Sequence, residues 1–447
     1  MDVSSAFYRE FVYYPVASYT AGPVRRHLKA LLASQYDLPL ARAEFQASAV
    51  RELIDASRRE VPYFRTLPEL PEAASTPGEL LAGIPLLAKS DLQNSALRLR
   101  TTVDCGRLVS KTTGGSTGEP VTIWKTRDAW ARELGATWRG YAWAGIEVGD
   151  LQARFWGVAH TSSGRWRARL IDRVCHRIRI PAFAFVDSDL ANYVKLLNRR
   201  QPRWYYGYVS MLTELARFVQ RGGARLRHRP RCIVTTSEVL NAADRELLRE
   251  VFGAPVFNEY GCGELGTIAH ECPYGSLHVS EENMIVEVLD GTEPCDPGRA
   301  GELVVTELNN RAFPLIRYRT GDFGVLAAGT CACGRTLGRL DQIHGRAYDF
   351  IRNREGRLFH GEFLMYVFED LRRHGADIRQ FQVEQVDLDR FDVRIVRGDS
   401  YDPDCEDEIK NCLRSNVDPD AVVTVEYVES IPRERSGKMR TIKGLPR

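Results

Sequence analysis

The sequence predicts an α/β protein with a large, multi-layered amino-terminal domain and a small α+β carboxy-terminal domain. Up to about residue 280, segments with apolar residues at three- and four-residue spacing alternate with short apolar runs. Beyond that point the pattern becomes strand-rich. The final part of the chain then follows the order helix, strand, strand, helix, strand, which indicates a separate module. We therefore place the two domains at residues 1–345 and 346–447.

Local signals define several elements within this plan. Residues 24–60 have helical periodicity, and RCIVTTSEVL (231–240) is typical of a strand that ends in a turn. The segment NAADRELLREVFG (241–253) predicts a capped helix that ends at a glycine, and APVFNEYG (254–261) predicts a strand that runs into a turn. Loops at the ends of such strands are where α/β proteins usually bind ligands.

Composition excludes several classes of function. The chain has 447 residues and a formal net charge of +2, which argues against nucleic acid or an anionic membrane as the partner. No zinc-finger or helix-turn-helix pattern occurs, and no apolar run is long enough to span a bilayer. The first residues lack the pattern of a signal peptide, so we expect a cytoplasmic protein. In that reducing compartment, clusters among the ten cysteines suggest metal ligands rather than disulfides.

The segment KTTGGSTGEP (111–120) combines three glycines with several hydroxyl side chains. Glycines allow backbone N–H groups to approach a bulky anion, and the hydroxyls add further donors, so a phosphate-binding loop is one interpretation. A flexible hairpin tip is the alternative. The segment lacks the Lys-Ser/Thr ending of a Walker loop, which argues against that type of nucleoside triphosphatase.

Four more short segments follow this one along the chain: NEYGCGE (258–264), YRTGD (318–322), GR (345–346) and SGK (436–438). With these five motifs in this order, residues 80–443 resemble the adenylate-forming acyl ligases, specifically the phenylacetate–CoA ligase-like branch that includes CapK-type homologues. The resemblance implies a large AMP-binding domain with a small mobile lid. It also implies ATP-dependent activation of a carboxylic acid through an acyl-adenylate, with release of pyrophosphate and with Mg²⁺ as a cofactor.

The resemblance assigns roles to individual residues. Tyr260 matches the aromatic residue that stacks on adenine, and Glu264 matches a catalytic carboxylate that helps to hold Mg²⁺. Asp322 corresponds to the residue that accepts both ribose hydroxyls, with Arg346 near the ribose and the α-phosphate. Lys438 matches the catalytic lysine that reaches the carboxylate and the α-phosphate. The full set implied to bind nucleotide is Thr113, Ser116, Thr117, Gly118, Ser237, Glu238, Glu259, Tyr260, Gly261, Asp322 and Arg346.

Simpler structural interpretations stay open for these segments. NEYG also fits a plain strand-to-turn junction, and YRTGD fits a tight turn with a solvated ion pair. Ser237 and Glu238 also fit a helix N-cap. The aromatic cluster RWYYGYVSM (203–211) lies near the acyl pocket by resemblance, together with Trp156 and Gly157. We assign Trp156, Gly157 and Tyr208 to the substrate site, although aromatic residues of this kind equally form a core.

Two blocks of cysteine and histidine predict a metal site. HECPYGSLH (270–278) and CACGR (331–335) supply Cys272, His278, Cys331 and Cys333, a Cys₃His set suited to tetrahedral Zn²⁺. His270 is a competing ligand. Because all four ligands come from the protein, the site would be structural. The alternative is that these cysteines are small buried hydrophobic residues.

The acceptor of the acyl group stays open between CoA, which the family favours, a carrier-protein thiol and an amine. A non-catalytic homologue that binds a nucleotide or an acyl group is the second hypothesis. It is motivated by Glu119, where the family often has Lys, by Gly263, where many relatives have Ser or Thr, and by Tyr348 at the usual hinge position. The basic segment RWRARLIDRVCHRIRI (165–180) could contact an acidic carrier or the phosphates of CoA, or could form the solvated face of a helix.

Overall fold

The computed structural model describes residues 3–112, 121–156, 162–181, 187–346, 350–355, 358–360, 364, 367–368, 371–372, 375–432 and 440–445. The chain divides into two compact units. The first comprises residues 1–320 and 324–343, and the second comprises residues 321–323 and 344–447. The α/β class and the separate carboxy-terminal α+β module are confirmed, and the domain limits 1–345 and 346–447 stay a prediction.

The helices are short to medium in length, apart from one of 22 residues. The helices whose bounds lie within the described residues are α1 (Val3–Tyr8), α2 (Tyr14–Thr20), α3 (Val24–Ser34), α4 (Pro39–Glu60), α5 (Pro77–Ala82), α6 (Lys89–Asn94), α7 (Arg127–Trp143), α8 (Ser162–Val174), α9 (Asp187–Arg200), α10 (Val209–Gln220), α11 (Ala242–Phe252) and α12 (Cys405–Asn416). A π-helical turn at Arg9–Tyr13 joins α1 to α2, and a 3-10 turn at Pro62–Phe64 follows α4. Within the described residues, no helix is both long enough and apolar enough to cross a membrane.

Most strands belong to one large sheet. The strands of the chain are β1 (Leu108–Thr112), β2 (Thr122–Thr126), β3 (Gln152–Trp156), β4 (Arg177–Pro181), β5 (Trp204–Tyr208), β6 (Cys232–Thr236), β7 (Val256–Cys262), β8 (Gly266–Glu271), β9 (Leu277–Val279), β10 (Met284–Asp290), β11 (Glu293–Pro294), β12 (Ala300–Glu307), β13 (Tyr318–Leu326), β14 (Arg339–Arg346), β15 (Phe350–Arg352), β16 (Leu358–His360), β17 (Ile378–Asp387), β18 (Arg390–Arg397), β19 (Val422–Tyr427) and β20 (Ile442–Lys443). Strands β1 and β2 form a separate antiparallel hairpin.

In the part of the chain that the structure describes, the large sheet has twelve strands in the order β11-β10-β12-β13-β14-β9-β8-β7-β6-β5-β3-β4. Its last five strands, from β7 to β4, run parallel to one another. The carboxyl ends of these strands therefore lie along one edge, which is where α/β sheets place ligand sites. Trp156, Tyr208 and Thr236 end β3, β5 and β6 at that edge.

Helices cover both faces of the parallel strands. Buried residues of α9, α10 and α11 pack with Phe155 and Tyr205 in one cluster. On the other face, buried residues of α2, α3 and α7 pack with Trp204 and Tyr206 in a second cluster. The side chains of residues 204–206 alternate between the two faces of the sheet. Because helices cover both faces, all three side chains are buried, which explains why this strand is apolar along its length.

Caps define the ends of the helices that adjoin the site. The Asn241 side chain accepts a hydrogen bond from the Asp244 N–H at 2.7 Å, which begins α11, and Gly253 ends it with a φ of 61°. The capped helix predicted over residues 241–253 is therefore confirmed. The Thr126 hydroxyl begins α7 in the same way, accepting from the Ala129 N–H at 3.1 Å directly after β2.

The second unit has its own sheet and core. Strands β17 and β18 are antiparallel, and β20 and β19 add to them in parallel, giving the order β19-β18-β17-β20. The buried side chains of Phe381, Phe391, Ile409 and Leu413 belong to one apolar cluster, so α12 packs on this sheet. Residues 361–373 (GEFLMYVFEDLRR), which supply the first helix predicted for this module, lie mostly outside the described residues.

Candidate active site and metal centre

Part of the predicted site lies outside the described residues. This holds for Thr113, Ser116, Thr117, Gly118, Gly157 and Lys438, and for Glu119 and Tyr348. Their assigned roles stay predictions. The description below covers the predicted site residues that the structure describes.

The segment NEYGCGELG forms the end of β7, a tight turn and the start of β8. The two strands are antiparallel, and a bulge falls between Tyr260 and Gly261. A Cβ atom added to Gly261 would lie 2.3 Å from the Gly266 carbonyl oxygen, so the backbones approach too closely for a side chain. Tyr260 and Glu264 are both buried, at 8% and 6% exposure. Within the described part of the chain, the Glu264 carboxylate has no hydrogen-bond partner, which leaves oxygen ligands of the kind that Mg²⁺ prefers.

A buried ion cluster joins the β1–β2 hairpin to this turn. The ammonium group of Lys125, in β2, lies 2.6 Å from Glu307 Oε1 and 2.9 Å from Glu133 Oε2. It also donates to the Leu265 carbonyl oxygen at 3.2 Å. Lys111, in β1, pairs with Glu133 at 2.6 Å. Burial alone would lower the pKa of Lys125, but the two carboxylates outweigh it and raise that pKa. The ion cluster thus fixes β1 and β2, the strands that precede and follow residues 113–120 in the sequence, beside the turn that contains Glu264.

Glu259 faces the opposite side of β7 from Tyr260 and contacts protein groups. The Tyr206 hydroxyl donates to Glu259 Oε1 at 2.9 Å, and the Thr236 hydroxyl donates to the same oxygen at 3.2 Å. The Nε2 atom of His270 lies 3.6 Å from Glu259 Oε2. Burial lowers the pKa of His270 to about 4. The Glu259 carboxylate therefore already has partners within the protein. Its role in nucleotide binding stays a prediction.

The connection between β6 and α11 has an unusual backbone. Ser237 has a φ of 67°, in the left-handed region that disfavours residues with a Cβ atom. The Glu238 carboxylate accepts hydrogen bonds from the Ser210 N–H at 2.7 Å and from the Ser210 hydroxyl at 3.0 Å. Glu238 thus satisfies a free N–H group in the first turn of α10. The N-cap of α11 is Asn241.

Aromatic side chains gather at the carboxyl ends of β3 and β5. The ring centroids of Trp156 and Tyr208 are 4.4 Å apart, and those of Trp156 and Tyr206 are 5.7 Å apart. The guanidinium group of Arg154 lies over both Trp156 and Tyr206. Two of the predicted substrate residues, Trp156 and Tyr208, are therefore brought into contact.

Asp322 and Arg346 lie in neighbouring strands of the large sheet. Asp322 is in β13 and is buried, at 7% exposure. Arg346 is the last residue of β14, next to β13 in the sheet order. Gly321 has a φ of 76°, which a residue with a side chain would adopt only with strain. Their roles at the ribose stay predictions.

The four predicted zinc ligands form one cluster. The ligand atoms of Cys272, His278, Cys331 and Cys333 all lie within 4.8 Å of one another. Cys272 Sγ and Cys331 Sγ are 3.7 Å apart, and Cys333 Sγ is 3.2 Å from His278 Nε2. Ligands on a tetrahedral zinc ion lie about 3.5–3.8 Å apart, given its usual bond lengths. His270 is not part of this cluster, since its ring nitrogen faces Glu259.

The surroundings of the cluster also suit a metal ion. The Leu337 carbonyl oxygen lies 3.2 Å from His278 Nδ1, which leaves Nε2 directed at the sulfurs with its lone pair available. Burial lowers the pKa of His278 to about 4, so this ring is neutral. Burial opposes ionisation of Cys331, but hydrogen bonds from Ser276 and from the neighbouring cysteines outweigh it and lower its pKa to about 7.

Two charged residues beside the site, Lys125 in β2 and Arg154 in β3, were not predicted from the sequence. His270, which the sequence offered as a competing zinc ligand, faces Glu259 instead. A charged residue within the otherwise apolar strands TIWKT and QARFW was the available signal. Such a residue must find a partner or a ligand once its strand is buried.

Comparisons with known proteins agree with this fold. A family model described as the CapK C-terminal domain matches residues 351–444. The chain is 23% identical to protein CapK of Staphylococcus aureus over 366 residues, which cover 80% of this chain and 78% of CapK. It is 28% identical to a phenylacetate–coenzyme A ligase of Thermus thermophilus over 237 residues, which cover 47% of this chain and 53% of the ligase. A crystal structure of 2-hydroxyisobutyryl-CoA ligase in complex with 2-HIB-AMP matches with a TM-score of 0.72 and 19% identity, over 92% of this chain and 91% of that chain.

With its large α/β unit and its separate carboxy-terminal α+β unit, the chain has the fold of the solved 2-hydroxyisobutyryl-CoA ligase. The chain is therefore similar to CapK over most of its length and to a phenylacetate–CoA ligase over about half of it, and residues 351–444 match the CapK C-terminal domain.

Proposed function

We propose that this protein is an ATP-dependent, AMP-forming ligase that activates an organic carboxylic acid. An oxygen of the carboxylate attacks the α-phosphorus of ATP, pyrophosphate leaves, and an acyl-adenylate remains. An acceptor nucleophile then takes the acyl group and releases AMP. The observation that carries this proposal is the ion cluster at Lys125, which fixes the strands around residues 113–120 beside the turn that holds Glu264. A phosphate-binding loop and a Mg²⁺-binding carboxylate are needed side by side for this reaction.

In this proposal, each part of the nucleotide has its own partners. Backbone and hydroxyl donors of Ser116, Thr117 and Gly118, with Thr113, hold the β- and γ-phosphates. Tyr260 packs on adenine, and Asp322 accepts the ribose hydroxyls with Arg346 close by. The oxygens of Glu264 would bind Mg²⁺, whose positive charge would offset the negative charge of the phosphates. Lys438 would place its ammonium group between the carboxylate and the α-phosphate, where negative charge accumulates.

We propose CoA as the acceptor. Support comes from the relatives, which are named as phenylacetate–CoA and 2-hydroxyisobutyryl-CoA ligases. A carrier-protein thiol or an amine would use the same first half-reaction, and assays with each acceptor separate them. A non-catalytic protein that only binds a nucleotide or an acyl group is the competing function. Retention of Glu264, Asp322 and Lys438 favours the enzyme.

We further propose that Cys272, His278, Cys331 and Cys333 bind one structural Zn²⁺ ion. Three thiolates and one neutral imidazole form a closed set, so no position is left for substrate. The ion would join the β8–β9 segment to residues 331–333. Thiolate ligands survive best in a reducing compartment, which is consistent with action in the cytoplasm.

Acid-dependent exchange of labelled pyrophosphate into ATP tests the proposed function. The wild-type protein is incubated with ATP, Mg²⁺, labelled pyrophosphate and, in turn, each of a broad panel of carboxylic acids. We expect exchange with at least one acid and its loss in Lys438→Ala, which keeps the thermal stability of the wild type. Stabilisation by AMP without exchange for any acid would instead identify a non-catalytic nucleotide-binding protein.

A further inference from the structure

Arg154 lies between aromatic side chains on the face of β3 that carries Trp156. Its guanidinium carbon is 4.4 Å from the Trp156 ring centroid and 4.8 Å from the Tyr206 ring centroid. Tyr206 is its neighbour in the adjacent strand β5. Stacking occupies the flat faces of a guanidinium group and leaves the N–H donors at its edge available. Those donors form a planar fork that fits a carboxylate.

The electrostatic surroundings of Arg154 are unfavourable without a ligand. Among the described residues, no carboxylate forms an ion pair with Arg154, and its Nε atom is buried without a hydrogen-bond partner. Its other strand neighbour is a second arginine, Arg179 in β4, whose guanidinium is bound by both oxygens of Asp172 at 2.7 and 2.9 Å. Burial, and then the charge of Arg177, lower the pKa of Arg154. A partly buried cation without a counter-charge, with its Nε atom out of contact with solvent, is costly, so a site of this kind is suited to an anion.

The position of Arg154 relates this charge to the acyl group. Trp156 and Tyr208 meet at the carboxyl ends of β3 and β5, and we assign both to the acyl pocket. Arg154 is two residues earlier in β3, so its Cα atom lies about 7 Å farther from that edge, given the rise of a strand. A group that reaches Arg154 past Trp156 would be the end of the acid that is remote from the reacting carboxylate.

We infer that Arg154 recognises a second carboxylate at the far end of the acid, so that the substrates of this enzyme are dicarboxylic acids. This inference rests on the proposed function. One carboxylate is adenylated, while the other stays ionised against the guanidinium fork between Trp156 and Tyr206. Specificity follows because a monocarboxylic acid would leave the guanidinium donors of Arg154 unpaired between the two aromatic rings.

Pairs of acids that differ by one carboxylate test the inference. The probes are octanoate against octanedioate, and phenylacetate against 4-carboxyphenylacetate, each assayed by pyrophosphate exchange. We expect kcat/KM of the wild type to be at least tenfold higher for the diacid of one pair. In Arg154→Met, which keeps an apolar stem of similar length, this preference should disappear through loss of activity on the diacid, with activity on the monoacid changed less than threefold.

Two controls keep the outcome interpretable. Arg179→Met removes a neighbouring guanidinium that Asp172 already pairs, and it should retain the diacid preference. If Arg154→Met does not fold, Arg154→Lys keeps the charge without the planar fork and should weaken the preference severalfold. Equal rates for both members of each pair in the wild type, or a preference that survives in Arg154→Met, would overturn the inference.

Direct binding separates this inference from the proposed function. If no acid supports exchange, the proposed function fails. Calorimetric titration of octanedioate into the AMP-bound wild type and into AMP-bound Arg154→Met still tests whether Arg154 binds a carboxylate. Binding at least tenfold tighter to the wild type supports the diacid site. Equal binding to both proteins, or none to either, contradicts it.

Discussion

Lys125 donates a hydrogen bond to the carbonyl oxygen of Leu265 across 3.2 Å, and Leu265 directly follows Glu264. The side chain of Lys125 is 0% exposed, and its ammonium group forms ion pairs with both Glu133 and Glu307. One buried cation therefore connects β2, α7, β12 and the turn between β7 and β8. In physical terms, the β1–β2 pair and the turn that contains Glu264 are held together by a buried charge whose removal would be strongly destabilising.

Replacing Lys125 with Met should destabilise the protein strongly. Two carboxylates would remain in the interior with a single partner, Lys111, and breaking a buried ion pair in this way costs about 3–5 kcal/mol. Urea unfolding measures the change in the free energy of unfolding. Lys111→Met is the control, because Lys111 is partly exposed at 24% of its side chain and its loss still leaves Lys125 in contact with Glu133. Equal stability of Lys125→Met and the wild type would contradict the role given to the cluster.

The cysteine cluster should bind one zinc ion per chain. Protein purified without chelators should contain Zn²⁺ by elemental analysis, and its removal should lower Tm, since metal binding and folding are coupled. Cys272→Ser should abolish stoichiometric zinc. Cys295→Ser is the matched control, because Cys295 is similarly buried but lies outside the cluster, and it should keep the metal. Wild-type protein that is free of zinc, with a Tm unaffected by added Zn²⁺, would refute the metal site.

Gly266→Ala should damage the turn after Tyr260. Gly266 has a φ of 86°, and an added Cβ atom would lie 2.2 Å from the carboxylate of Glu133. Gly291→Ala is a matched control, because Gly291 has a φ of 65° and open space around it. We expect the control to lose about 1–2 kcal/mol, the cost of a left-handed conformation. Gly266→Ala should lose distinctly more, measured by thermal and urea unfolding. Similar losses in the two variants would show that Gly266 is needed only for its backbone conformation.

Ser237 provides a test of backbone strain beside the site. Ser237→Gly removes the steric cost of a φ of 67°, which should stabilise the folded state. The greater conformational freedom of glycine stabilises the unfolded chain and opposes this gain. The net change should lie within about 1 kcal/mol of zero. Ser237→Val should destabilise by more than about 1 kcal/mol, because a β-branched residue disfavours this conformation most. Unfolding experiments compare the two directly, and a valine variant as stable as the glycine variant would show that no strain is stored there.

Sequence analysis predicted the parts of this protein whose causes are local. The helix over residues 241–253 was predicted correctly because its cap, periodicity and terminal glycine all lie within the segment itself. The clustering of Cys272, His278, Cys331 and Cys333 was predicted because cysteine and histidine are chemically distinctive wherever they occur, and the binding of zinc by this cluster stays a prediction. The strand β14 lies between β13 and β9, an order set by contacts between distant segments that no local pattern contains.

The partners of buried charges were also beyond prediction. A lysine within TIWKT indicates that some counter-charge exists, but Glu307 lies 182 positions away in the sequence. Glu259 was predicted to bind nucleotide beside Tyr260. Neighbouring residues of a strand point to opposite faces, and its contacts with Tyr206 and Thr236 became visible only once the strand order was known.

Transfer of ¹⁸O from the acid to AMP tests the central claim most directly. The protein is incubated with ATP, Mg²⁺, CoA and an acid labelled with ¹⁸O in its carboxylate, and the released AMP is analysed by mass spectrometry. If an acyl-adenylate forms, one labelled oxygen bridges the acyl carbon and the α-phosphorus, and acyl transfer leaves it on AMP. We predict AMP with one ¹⁸O atom and unlabelled pyrophosphate. Release of ADP with label in inorganic phosphate, or AMP without label, would contradict activation through an acyl-adenylate.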